Sequence, residues 1–176
     1  MKKKNDLNKI NIDITFTKDK ERVENTKKTV RIIKESLKKY KLLKPVILYL
    51  KIFFRIQELY STYKGGINSL SLFCLARNIL VAYEKNHFDV NSFSIEEVLF
   101  YISEKFGHYK YLYGIDKDGN DYDLKNQEKK EHKFVIKSPV DNEKNIAYGS
   151  FNSDLIIGKF YLLFSVYKRK CIFPSI

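Results

Sequence analysis

Tryptophan is absent, methionine occurs once and cysteine only twice in the 176 residues. Two thiols, Cys74 and Cys171, can neither staple a fold of this size nor complete a four-ligand metal site, and they fit a reducing compartment. Long apolar runs are missing as well. The best candidate, residues 42–59, is interrupted by Lys51 and Arg55 and falls short of the roughly 18 uncharged residues a membrane span needs. The opening Met1-Lys2-Lys3-Lys4 is not followed by the apolar segment of a secretory signal peptide, so the sequence points to an intracellular protein that makes no membrane contact. Gly65-Gly66 lacks the Gly-Lys-Ser/Thr continuation of a Walker A loop, and neither a dinucleotide fingerprint nor a nucleophile elbow occurs. His87, His108 and His132 are far apart and have no Cys, Asp or His at ligand spacing. The acidic turn beginning at Asp116 has no glutamate at the twelfth position of a calcium loop.

Apolar residues make up 44% of the chain and aromatic residues 15%, enough for a real core in one domain or two very small ones. Charge is abundant and one-sided: 33 basic against 21 acidic side chains, a formal net charge of +12. Residues 1–45 hold 15 basic and 6 acidic side chains, so nine of the twelve excess charges lie in the first quarter. Such a field can collect phosphates, and lysines that merely solvate helix faces give the same count.

Ile10-Asn11-Ile12-Asp13-Ile14-Thr15-Phe16 alternates apolar and polar residues, which predicts a strand with Asp13 on its polar face. Residues 21–39 suit a surface helix with a narrow stripe of Val23, Val30, Ile33 and Leu37. Pro45 suits the first turn of a second helix over 46–59, whose near-continuous apolarity predicts the buried centre of the fold. After Gly65-Gly66, Asn68 or Ser69 can cap a helix to about residue 83, and Ser94 opens another to about residue 105. A charged stretch after Asp116 reads as a loop or insertion reaching residue 133, Phe134-Val135-Ile136 as a short strand, and residues 153–167 as a final helix. The expected fold is mainly α with short β elements.

Three features could carry chemistry. Asp13 is a candidate ligand for a divalent metal, although one carboxylate cannot build a two-metal site whose ions lie about 3.5–4 Å apart. Lys51, alone on an apolar segment, must snorkel to water or meet an anion. Ser69 and Ser71 stand where a helix start after a flexible turn presents free N–H groups to an anion, a position that simple capping explains equally well.

The order and spacing of five segments resemble one family. They are Asn11-Ile12-Asp13-Ile14-Thr15-Phe16, Leu48-Tyr49-Leu50-Lys51-Ile52-Phe53-Phe54, Thr62-Tyr63-Lys64-Gly65-Gly66-Ile67-Asn68-Ser69-Leu70-Ser71-Leu72, Pro139 followed by Asn145-Ile146, and Gly149-Ser150-Phe151. Together they look like the non-canonical poly(A) RNA polymerases of the DNA polymerase β-like nucleotidyltransferase superfamily, in particular the nuclear RNA-surveillance type that pairs with a zinc-knuckle RNA-binding protein. The resemblance implies that residues 1–20 are the end of a palm domain and residues 21–176 a helical central domain with its PAP-associated segment. It implies that Asp13 matches the third catalytic, metal-binding aspartate, the other two being expected upstream of Met1. It further implies that Lys51, Ser69, Ser71, Asn145 and Tyr148 face the nucleotide and that the basic stretch 27–44 flanks the cleft. The implied activity is magnesium- or manganese-assisted transfer of adenylate from ATP to an RNA 3′ end in the nucleus, only when the missing palm is supplied. Three positions depart from the family pattern. Leu70 stands for the tyrosine on which the base stacks, Ser138 for an aspartate, and Tyr148 for an arginine, where it could serve as a substitute stacking surface. The competing expectation is a non-enzymatic helical module that binds RNA or a partner protein.

Overall fold

The computed structural model describes residues 18–108, 113–124 and 134–172. Within them five α-helices enclose the core and two short antiparallel β-hairpins close one side: α1 Lys20–Lys39, α2 Leu43–Ile56, α3 Ser69–Lys85, α4 Ile95–Gly107, β1 Tyr113–Ile115, β2 Asp121–Asp123, β3 Lys137–Ser138, β4 Asp141–Asn145 and α5 Ser153–Ile172. The expected strand around Asp13, and Asp13 itself, lie outside the described residues.

Three of the helices start on a capping side chain. Asp19 caps α1, its Oδ1 accepting from the Glu21 and Arg22 N–H groups at 3.0 and 3.2 Å. Asn68 caps α3, and Ser94 with Glu97 forms a reciprocal capping box at the start of α4. Pro45 does sit in the first turn of α2, where its missing N–H has no intrahelical partner to lose.

The core gathers Leu43, Val46, Leu50 and Phe54 of α2 with Leu72, Leu75, Ile79 and Leu80 of α3, Leu99, Ile102 and Phe106 of α4, and Ile156 and Phe160 of α5. Phe160 lies between two other rings, 5.0 Å from Phe54 and 5.8 Å from Phe106 by centroid. The helix at the centre is α3, not α2. Ten residues of α3 are buried, whereas α2 leaves Leu48, Tyr49, Ile52 and Ile56 exposed. Continuous apolarity misled the sequence reading because α3 is covered by α2, α4 and β1 on successive sides, and only these contacts decide burial. Cys74 is buried on α3, and the loss of hydration pushes its thiol up to about 12, so it is no nucleophile at neutral pH.

The segment after Asp116 is not a featureless loop where it is described. Ile115 and Asp121 pair across a turn that Asp116 ties, its Oδ1 accepting from the Asp118 and Asn120 N–H groups. Asp116 is thereby satisfied by its own turn. A polar network pins this hairpin to the helices: Asn78 Nδ2 donates to the Gly119 carbonyl and to Asp121, each at 3.0 Å, and Lys105 Nζ donates to Asn78 and Asp121 at 2.8 and 2.6 Å. In the second hairpin, Lys137 faces Asn145 and Ser138 faces Asp141, with a register shift between the pairs. Ile136, read from sequence as strand, makes a single parallel bridge to Ile115 and joins the two hairpins.

Candidate nucleotide-binding site

Two loops distant in sequence are fastened together at one end of α3. The first, residues 59–68, leaves α2 through Glu58 in a left-handed conformation (φ 57°), makes a single 3-10 turn at Thr62–Lys64 and reaches Gly65, also left-handed (φ 74°). The second, residues 145–152, follows β4. Ser150 Oγ donates to the Gly66 carbonyl at 2.9 Å, Asn152 N–H to Gly65 O at 3.1 Å, Asn152 Nδ2 to Lys64 O at 2.7 Å, and Asn68 Nδ2 to Ile146 O at 2.9 Å. Gly66 passes so close to the Leu59 carbonyl that a Cβ would lie 2.1 Å from its oxygen. Gly66 is therefore required by the close approach of its backbone to that of Leu59 within the same loop.

Lys51 and Ser69 meet beside these loops. Lys51 is half-buried on α2, with Nζ 5.7 Å from the centre of the Tyr60 ring, and the Tyr60 hydroxyl is hydrogen-bonded to Ser69 Oγ. The lone lysine thus neither simply snorkels nor stands unpartnered; it rests on the face of an aromatic ring. Tyr60 was not singled out from sequence. The aromatic residue just before the Thr62-Tyr63-Lys64-Gly65-Gly66 segment was the available signal.

An apolar groove of about 300 Å³ opens here, with Ile33, Leu37, Ile47, Lys51, Ser69 and Leu70 among its walls. Leu70 also borders a larger cleft of about 790 Å³ between α1, the start of α3 and the β3–β4 hairpin. That cleft carries both signs of charge, Arg22 and Lys144 against Asp19, Glu21 and Asp141. The Asn68 cap accepts from the Ser71 N–H at 2.8 Å, which leaves the first-turn N–H groups of Ser69 and Leu70 with no intrahelical acceptor.

The remaining predicted residues are placed differently. Ser71 is fully buried, and its Oγ has no hydrogen-bond partner. The Asn145 carboxamide is engaged by backbone: Oδ1 accepts from the Ile136 and Ala147 N–H groups, both at 3.0 Å, and Nδ2 donates to Phe134 O at 3.1 Å. It ties the strand entry to the loop that docks on residues 64–68. Tyr148 lies in that loop with 67% of its surface exposed. Among the described residues no group of three or more His, Cys, Asp or Glu side chains is placed to hold a metal ion. Nor is any helix among them long and apolar enough to cross a membrane.

The fold defines a mainly α-helical domain with short antiparallel β elements. No protein-family model matches the chain. It superposes with a TM-score of 0.69 on a chain from the polymerase core of TRAMP, an RNA surveillance complex, over 82% of its length and at 23% identity. It spans 48% of that chain, about half its length. Identity at this level establishes a common fold.

Proposed function

We propose that this chain is the nucleotide-holding helical part of a template-independent RNA 3′-adenylyltransferase, with residues 21–176 as the central domain and residues 1–20 as the end of a palm. The observation that carries the reading is the docking of residues 64–68 on residues 146–152 beside Lys51 and Ser69. The two segments that the family resemblance links to the nucleotide, some 80 residues apart in sequence, are thereby held at the start of one helix. The shared fold with the TRAMP polymerase core supports it.

In this reading Lys51 supplies the positive charge for a triphosphate, and the Ser69 and Leu70 N–H groups, helped by the Ser69 hydroxyl, bind phosphate oxygens at the positive end of α3. Leu70 gives an apolar wall and Tyr148 an aromatic surface for the base. Asn145 and Ser71 act from behind, Asn145 as a brace for the second loop. The reaction proposed for the complete enzyme is attack of an RNA 3′-hydroxyl on the α-phosphate of ATP with release of pyrophosphate. Asp13, the candidate ligand for magnesium or manganese, lies outside the described residues, and the property expected of the described part is nucleotide binding through these groups. A nuclear setting and a zinc-knuckle partner belong to the same reading, supported by the RNA-surveillance context of the structural neighbour.

A non-enzymatic module that binds RNA or a partner protein is the second reading. It is favoured by Leu70, which offers no ring, and by an Asn145 amide already committed to backbone.

Calorimetric titration of ATP, with magnesium present, into wild-type and Lys51→Ala chains separates the two. The loss of one charge-assisted contact is expected to weaken binding about tenfold, with the melting temperature moving by only a few degrees. A folded chain that binds no ATP, or binds it equally after Lys51→Ala, favours the non-enzymatic module.

A further inference from the structure

Helix α2 has a second apolar face that the core does not use. Leu48, Ile52, Ile56 and Tyr49 fall within an arc of about 100°, at about 100° per residue, on the side of the helix away from the buried Val46, Leu50 and Phe54. Ile52 and Ile56 leave 61% and 71% of their surface exposed. Helix α5 runs antiparallel beside α2, since the Phe54 and Phe160 rings lie 5.0 Å apart and Tyr49 reaches the Tyr167 side chain. The flank of α5 that carries Phe164 is taken by α4 through Phe100. Leu162 and Val166 lie on the other flank, both exposed, and continue the apolar row of α2 across the seam between the two helices. Cations edge this face. By the same helical spacing, Lys44 and Arg55 fall beyond Leu48 on the side away from α5, Arg169 falls beyond Leu162, and the half-buried Lys159 falls between the α5 row and the seam. None of these four forms a salt bridge among the described residues. Carboxylates stand at the two ends of the face, Glu58 just after Ile56 and Glu96 near Tyr167.

We propose that this two-helix face is a docking surface for an acidic amphipathic helix of a partner protein. The inference goes beyond the nucleotide reading and does not depend on it. Charge selects the occupant: cations along both long edges of an apolar patch complement carboxylates that flank an apolar stripe. A second copy of this chain would bring Lys44, Arg55 and Arg169 against edges of the same sign, which disfavours self-association through this face. The backbone of α2 and α5 is committed to its own helices, so an extended peptide gains no main-chain pairing here. A helix satisfies its own backbone and can lay its apolar side chains along the seam. The α2 row is about 12 Å long at about 1.5 Å per residue, the length of about two helical turns. Lys159 adds a requirement of its own. Its ammonium, beside the seam, calls for an acidic side chain within reach of the partner's apolar stripe. The same charge disfavours a bilayer, because insertion of the two rows would carry it below the headgroups without a partner.

The test is fluorescence anisotropy of three labelled peptides of about 18 residues, about five helical turns, titrated with the full chain. One carries leucines at helical spacing flanked by glutamates. The second has lysines in place of the glutamates, and the third has the composition of the first in an order that abolishes the stripe. The acidic helix is expected to bind about tenfold or more tighter than either of the others, and to bind more weakly as salt is raised. Ile52→Ser with Ile56→Ser should weaken that binding about tenfold or more. Arg55→Glu with Lys159→Glu should weaken it as well and shift the preference toward the lysine peptide. Val23→Ser with Phe88→Ser, a control pair of exposed apolar residues elsewhere, should bind as wild type does. Circular dichroism checks folding, and Ile52→Ala with Ile56→Ala serves if the serines weaken α2. Equal affinity for the three peptides, no binding of the acidic helix, or equal losses in the face and control pairs would each overturn the proposal. So would a wild-type dimer in sedimentation that the Ile52, Ile56 change dissolves, or phosphatidylserine vesicle binding that needs this face while peptide binding does not.

Discussion

Replacing Gly66 by alanine is expected to destabilise the protein by about 3 kcal/mol, the upper end of the usual cost of forcing a methyl group into packed surroundings. For a domain of this size that lowers the melting temperature by about 6–12 °C. The clash is with the carbonyl of Leu59, whose oxygen and carbon would lie 2.1 and 2.4 Å from the new Cβ. A backbone carbonyl cannot rotate away as a side chain can. This carbonyl also accepts the Ile67 N–H at 2.7 Å, so moving it breaks the turn that delivers Asn68 to the start of α3. Gly65→Ala is the informative comparison. Its Cβ would meet the Phe151 ring at 2.5 Å and the Asn152 amide at 2.8 Å, both side chains that can yield, and its left-handed backbone adds a penalty of about 1 kcal/mol. Thermal unfolding of the two variants should rank Gly66→Ala as the more damaging, with ATP binding lost in parallel. A Gly66→Ala chain that melts within about 2 °C of wild type would mean that Gly66 does not lie against the Leu59 carbonyl as described.

The second large effect is expected at Asn145. Truncation to alanine leaves two N–H donors, of Ile136 and Ala147, and the Phe134 carbonyl without their partner. Ile136 and Ala147 are residues with 1% and 3% of their surface exposed, so water replaces the lost amide poorly. The expected cost is about 2–4 kcal/mol, at about 1 kcal/mol or more for each group stranded. Hydrogen exchange should accelerate at the Ile136 and Ala147 amides before it does elsewhere. Asn145→Asp keeps an oxygen for both N–H groups but turns the donor that faced Phe134 O into an acceptor, and should fall between alanine and wild type. If Asn145 instead served only as a contact to the base, alanine would weaken ATP binding and leave stability and exchange unchanged.

These two residues mark where the sequence stopped being readable. The helix starts at Asn68 and Ser94 were legible because capping is local: the side chain that ends the chain's freedom lies within three residues of the N–H it satisfies. The overall class, mainly α with short β pieces, followed from the same periodicities. What could not be read was anything decided by contact across the chain. Asn145 carries an amide that suits a base edge and a backbone brace equally well, and only the fold brings Ile136, Ala147 and Phe134 around it. Lys51 was rightly singled out as anomalous, yet its partner Tyr60 lies on the following loop and not on its own helix. The strand Asp141–Asn145 has a sequence, Asp-Asn-Glu-Lys-Asn, with no strand periodicity at all; it is extended because Lys137 and Ser138 pair with it. The centre of the fold was assigned to α2 on apolarity, whereas α3 holds it by being covered on several sides.

The central claim is that residues 64–70 and 146–150 form one nucleotide-holding surface. The most direct test is amide chemical-shift mapping of ATP on the isotope-labelled full chain, with adenosine as a second titrant. The account predicts shifts concentrated at Lys51, Tyr60, Ser69, Leu70 and Tyr148, with the phosphate-dependent part, absent with adenosine, at Lys51 and the first turn of α3. Shifts that gather elsewhere on the domain, or a spectrum unchanged at saturating ATP, would contradict it.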